Sequence, residues 1–90
     1  MIEYPALLQT IRDLPTAQFN LLGLICINHD EGISQAQAQP LIDADLIVKY
    51  EERIGGWPPC SIYRYDVESF AVHMAWCEVC TERHASEVTP

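Results

Sequence analysis

Apolar residues recur at three- and four-residue intervals near the start of the chain, where Leu7, Leu8, Ile11 and Leu14 follow Pro5. Proline suits a first helical turn because its missing N–H would be unpaired there anyway, so residues 5–14 are predicted to form a short amphipathic helix that Pro15 ends. The next stretch, "TAQFNLLGLICINHDEG", places Phe19, Leu22, Ile25 and Cys26 on one broad apolar face. Thr16 is its expected cap, and the Asp30–Gly32 segment reads as its stop signal. This is the predicted central, buried helix. Ser34 then caps a third helix that opens with alanine and glutamine, and Pro40 either restarts or kinks it before Leu41, Ile42 and Leu46.

The pattern changes period at Ile47. "LIVKYEERI" alternates as a strand does, "GGWPP" reads as a hairpin tip, and "CSIYRYDV" forms a second strand with Ile62 on one face and Tyr63 and Tyr65 on the other. A last helix is predicted from about Asp66, its cap, to Arg83, with Glu68 in the first turn where the helix dipole favours negative charge. At about 100° per residue, Phe70, His73, Met74, Cys77 and Cys80 form one stripe and Val72, Trp76 and Val79 a second. Only Glu78 and Glu82 are left on a clearly polar face. A helix apolar on two sides has two neighbours, its own core and a partner chain. The first stripe, Phe70, His73, Met74, Cys77 and Cys80, is therefore the expected seam of a homodimer. The elements add up to an α+β domain over residues 1–84, with 85–90 as a flexible tail.

Composition narrows the class. Ninety residues make one small domain, and 49 % hydrophobic content with no repeat or low-complexity run is that of a chain that folds. "MIEYPALLQTIRDLP" lacks a basic leader and carries Glu3, Arg12 and Asp13 among its apolar positions, so neither a signal peptide nor a membrane span is expected. The expected compartment is the cytoplasm, with free thiols at Cys26, Cys60, Cys77 and Cys80 and no membrane partner. The formal net charge of −8 matters most, because it repels nucleic acid at long range and suits a basic protein surface.

The run "LIDADLIVKYEERIGGWPPCSIYRYDVESFAVHMAWC", Leu41 to Cys77, resembles the winged helix-turn-helix domains of the MarR, PadR and ArsR regulators. It is similar to their helix ending, "AGLI"-like strand entry, Gly-containing wing tip, "YRLT"-like second strand and dimerising helix. The resemblance implies a winged-helix-like fold of three N-terminal helices, a two-stranded wing and a long C-terminal helix. It also implies two helices and a turn over roughly thirty residues ahead of the wing, the second helix lying in the major groove. Ser34 to Ile47 offers about half of that, so the reading helix is expected to be cut to a turn or merged with its neighbour around Pro40. Gln35, Gln37 and Gln39 remain to touch bases, with no Arg or Lys between Arg12 and Lys49. Lys49, Arg53 and Arg64 cluster in the hairpin as a basic wing would, interleaved with Glu51, Glu52 and Asp66.

Chemistry is sparse. Cys77-x-x-Cys80 with His73 and His84 presents four potential ligands on one helical face, but the helix rises about 16 Å between the histidines against zinc bonds of about 2 Å. At most two of the four share an ion; completing a site needs Cys60, Cys26 or a second chain, and small apolar residues packing in a seam is the simpler reading. There is no phosphate loop, nucleophile elbow or zinc-protease signature, and no cofactor is called for. Trp57, stiffened by Pro58 and Pro59 at the hairpin tip, either anchors a protein interface or folds back on the domain. The expected function is a non-catalytic acidic regulator that binds another protein through Trp57, Asp43, Asp45, Glu51, Glu52 and Tyr63. Such short, acidic, trimmed folds resemble phage or mobile-element inhibitors, anti-CRISPR and transcription-blocking proteins among them, that occupy basic nucleic-acid-binding surfaces. The alternative is a transcriptional regulator contacting DNA through Gln35, Gln37, Lys49, Arg53 and Arg64.

Overall fold

The computed structural model describes residues 3–30 and 32–88. The order is α1 (Tyr4–Arg12), α2 (Thr16–Cys26), α3 (Gln35–Asp43), β1 (Ile47–Ile54), β2 (Cys60–Val67) and α4 (Phe70–Val88). This is a small α+β architecture of four helices and one antiparallel hairpin.

Each N-terminal helix begins and ends for a local reason. Pro5 opens α1, and Leu7 and Ile11 turn into the core. In α2 the cap position falls on Pro15 rather than Thr16, which is already helical and makes no side-chain cap. Nor is Asp30–Gly32 its stop. Asn28 adopts the left-handed conformation (φ 62°), with its N–H on the Ile25 carbonyl and that of His29 on Leu24, so the helix closes two residues earlier. The same motif ends α3: Asp45 (φ 59°) donates to Ile42 and Leu46 to Leu41, and both of those leucines are fully buried. The start of α3 is a full capping box, in which Ser34 accepts from the Gln37 N–H and the Gln37 side chain accepts from the Ser34 N–H. Pro40 sits inside this one helix, exposed, and neither divides it nor joins two.

β1 and β2 pair from Ile47↔Val67 to Ile54↔Cys60. That pairing holds Asp66 in the sheet opposite Val48, so Asp66 is not the cap of α4; its carboxylate accepts from the Val67 N–H instead. Glu68 likewise precedes the helix, its N–H on the Leu46 carbonyl. At the other end α4 runs to Val88, well into the stretch read as a tail, and residues 89–90 lie outside the described ones.

Ile11, Leu22, Ile25, Leu41, Leu46, Val72 and Val79 form the fully buried centre, drawn from every helix and from the turn into β1. α4 is its spine. The Trp76 ring stacks on Phe19 at 5.1 Å and its Nε1 donates to the Phe19 carbonyl, while Gly23 leaves the room that the indole occupies. On the other flank Arg12 forms a two-pronged pair with Glu82, and the Tyr4 hydroxyl donates to Glu78. Arg83 lies over the Phe19 ring and donates to the Arg12 and Leu14 carbonyls.

The hairpin leaves this body almost at once. Of the eight residues of β1 only Ile47 is buried, and in β2 only Tyr65. The molecule measures 56 × 30 × 21 Å, with a radius of gyration of 14.8 Å. A compact chain of this length would have about 12 Å.

One side chain ties the hairpin down. Asp30, in the α2–α3 connection, is 1 % exposed and accepts from Arg64 Nε and Nη2 at 2.9 and 2.7 Å and from the Tyr65 N–H at 2.8 Å. The guanidinium and the amide together overcome the cost of burial and hold the Asp30 carboxyl down at about 2. A carboxyl that is harder to protonate folded than unfolded contributes stability above its unfolded value, near 3.8, and loses it as pH falls toward 2. Asp30→Asn is expected to lower stability at pH 7 by about 2–3 kcal/mol, roughly 10–20 °C in Tm. Melting curves from pH 2 to 7 check it: the wild type should lose stability below about pH 4 more steeply than the variant, and parallel curves would remove the assignment.

Candidate functional site

Trp57 stands at the far end of the projecting hairpin and is 94 % exposed. It does not fold back on the domain. Gly56, with φ 142°, and the cis Trp57–Pro58 bond turn the chain at this tip. Below it the strand alternation sorts the side chains. Lys49, Glu51, Arg53, Ser61, Tyr63 and Tyr65 share one face; Val48, Tyr50, Glu52, Ile54, Ile62 and Arg64 share the other. Glu51 and Tyr63 are direct cross-strand partners and both are exposed. Glu52 lies on the opposite face and pairs with Arg64 at 3.0 Å. The six residues expected to bind protein therefore fall into four places, the tip, each of the two hairpin faces, and the end of α3, where Asp43 and Asp45 are exposed.

Of the residues expected to meet DNA only Gln35 and Lys49 are brought together, and most of the set is engaged within the molecule. Lys49 Nζ donates to Gln35 and sits 4.0 Å above the Tyr63 ring. Gln35 donates to Gln39 at 2.7 Å and Gln39 to Asp43 at 2.8 Å, so a polar relay runs along α3 from the hairpin to its acidic end. Gln37 is held in the capping box, and Arg64 is held by Asp30 and Glu52. Arg83 and Arg12, the cations outside the hairpin, are also engaged, on backbone carbonyls and on Glu82. Arg53 alone among the five basic residues has no hydrogen bond, ion pair or ring contact with the described residues.

The two stripes of α4 separate in part as their spacing predicts. Val72 and Val79 are buried and Trp76 is half-buried against α2, whereas Phe70 (73 % exposed), Met74 (50 %) and Cys77 face outward. His73, stacked on Phe70 at 5.8 Å, is half-buried, and Cys80, expected in the outward stripe, instead packs half-buried against the core beside Val79. All four cysteines are free thiols. Burial pushes the Cys26 thiol up to about 12, which removes it as a nucleophile at neutral pH. No three His, Cys, Asp or Glu side chains among the described residues are grouped to hold a metal ion, and no helix there is long and apolar enough to cross a membrane.

Two features escaped the sequence. Asp30 read as part of the stop signal of α2, and its partners lie more than thirty positions away. A groove of about 520 Å³ between the start of α1, the α3–β1 turn and the entry to α4 gathers Glu3, Asp45 and Glu68. No local spacing brings residues from three separate elements to one opening.

Because Trp57 touches so little of the domain, Trp57→Ala is expected to change Tm by less than about 2 °C. Differential scanning calorimetry checks this, and a fall of more than about 5 °C would mean that the indole supports the fold.

No protein-family model matches this chain, and neither a curated protein nor a solved structure is detectably similar to it.

Proposed function

We propose that this chain is a winged-helix-like, non-catalytic regulator that acts by binding another protein. Within that frame α3, directly before the hairpin, takes the place of a shortened reading helix and the hairpin takes that of the wing. The observation that carries the protein-binding reading is Trp57, a large apolar side chain held fully in solvent at the end of a long projection. Aromatic anchors of this kind dominate the energetics of protein interfaces. Charge supports it: four of the five cations are engaged within the molecule, so its net charge of −8 is presented outward and favours a basic partner, such as a surface that otherwise holds nucleic acid.

A DNA-binding regulator is the second reading, favoured by the uncommitted Arg53 on the hairpin and by Gln35 and Lys49 beside each other at the junction with α3. Fluorescence anisotropy of a labelled random-sequence duplex pool separates the two. A protein-directed regulator is expected to leave anisotropy unchanged up to tens of micromolar at about 50 mM salt. Micromolar binding that vanishes by about 200 mM salt, and that Arg53→Glu abolishes, would overturn it.

The outward stripe of α4 supports a homodimer, with Phe70, Met74 and Cys77 at the seam and His73 stacked beside Phe70. Light scattering is expected to return twice the chain mass, and Met74→Glu the mass of one chain. A wild-type monomer at tens of micromolar would remove the dimer without touching the protein-binding reading.

A further inference from the structure

The groove beside α1 combines an apolar floor with an acidic rim. Leu7 and Val72, both buried, and Ala71 form the floor, and the half-exposed Tyr4 ring makes one wall. Its volume, about 520 Å³, is that of a site able to enclose a small ligand or an anchoring side chain with its neighbours. Glu3, Asp45 and Glu68 stand around the opening, and none of their carboxylates has a hydrogen-bond or ion-pair partner among the described residues.

The rim is held in position by backbone contacts. Asp45 is fixed in the left-handed turn that closes α3, and the Glu68 N–H is bound to the Leu46 carbonyl, so both carboxylates start from anchored main chain. Three carboxylates lining one groove, with no basic side chain among its lining residues, favour a cationic occupant. An inorganic ion would gain nothing from Leu7, Val72 and the tyrosine ring. An arginine fits both parts: its methylene stem covers the apolar floor, its planar guanidinium lies against the aromatic wall, and its five donors meet the carboxylates.

The geometry points to this groove as the seat of an arginine side chain supplied by the partner protein. This rests on the protein-binding reading and sharpens it. The hairpin tip supplies an apolar anchor and the groove, beside the base of the hairpin, supplies a charge-selective one.

The test uses the full chain, ¹⁵N-labelled, titrated with acetyl-Gly-Arg-Gly-amide and, in parallel, with the same peptide carrying citrulline, which has arginine's shape without its charge. The arginine peptide is expected to shift the amides of Asp45, Glu68, Ala71 and Val72 in one saturable isotherm, with the citrulline peptide at least tenfold weaker. Asp45→Asn combined with Glu68→Gln keeps the left-handed turn, which asparagine also tolerates, and should weaken arginine binding at least tenfold with Tm unchanged. Equal binding of both peptides, no shifts, or shifts spread evenly to Asp43, Glu51 and Glu78 as diffuse counterion attraction would each overturn the proposal. Because this probe requires no duplex and no partner, the groove and the protein-binding reading fail by separate measurements.

Discussion

A single carboxylate decides where the hairpin points. Asp30 sits in the connection between α2 and α3, and takes both nitrogens of the Arg64 fork and the Tyr65 amide. Tyr65 is paired across the strands with Lys49, yet its N–H turns away from β1 to the outer edge of β2. Asp30 therefore does at that edge what a third strand would otherwise do, satisfying an outward amide. With Tyr65 and Ile47 as the only buried side chains of the hairpin, the contact is the main polar link between the projection and the helical body. It costs burial of a charge, and the bidentate geometry offsets that cost.

The same economy of cations shapes the rest of the surface. Arg12 and Arg83 strap α1 and the turn after it to α4, Arg64 holds the hairpin, and Lys49 bridges the hairpin to α3. Each is used to join two elements. The carboxylates outnumber them, thirteen to five, so the excess negative charge faces solvent and collects where no basic residue reaches, at the α3–β1 turn and the entry to α4. The proposed function follows from this division: positive charge builds the fold, and negative charge and a few exposed aromatics are left for a partner.

α4 joins these two roles in one helix. Its inner stripe, through Val72, Trp76 and Val79, closes the core, and its outer stripe, through Phe70, Met74 and Cys77, faces outward. The apolar surfaces proposed for partners lie at the hairpin tip, on the outer face of α4 and in the groove beside α1. A helix that serves core and surface together couples the stability of the fold to whatever covers its outer side.

Much of this was legible in the residue order, because helical and strand periods are local properties. The spacing of Leu7 and Ile11, of Phe19, Leu22 and Ile25, the Ser34 cap, the alternation around "GGWPP" and the two stripes of α4 set the element order and most of the buried faces by themselves, whereas the exposure of Trp57 was left open and only the tertiary structure decided it. Boundaries set by competing contacts were not legible: pairing with Val48 keeps Asp66 in the sheet instead of capping α4, and left-handed Asn28 ends α2 before Asp30. Nor could sequence show which polar residues are occupied, since Arg64 and Lys49 have the same composition whether they face a phosphate or their own acceptors. The Asp30 contact and the acidic groove belong to tertiary structure alone, because they join side chains whose meeting depends on how whole elements pack, and no period along the chain records that distance.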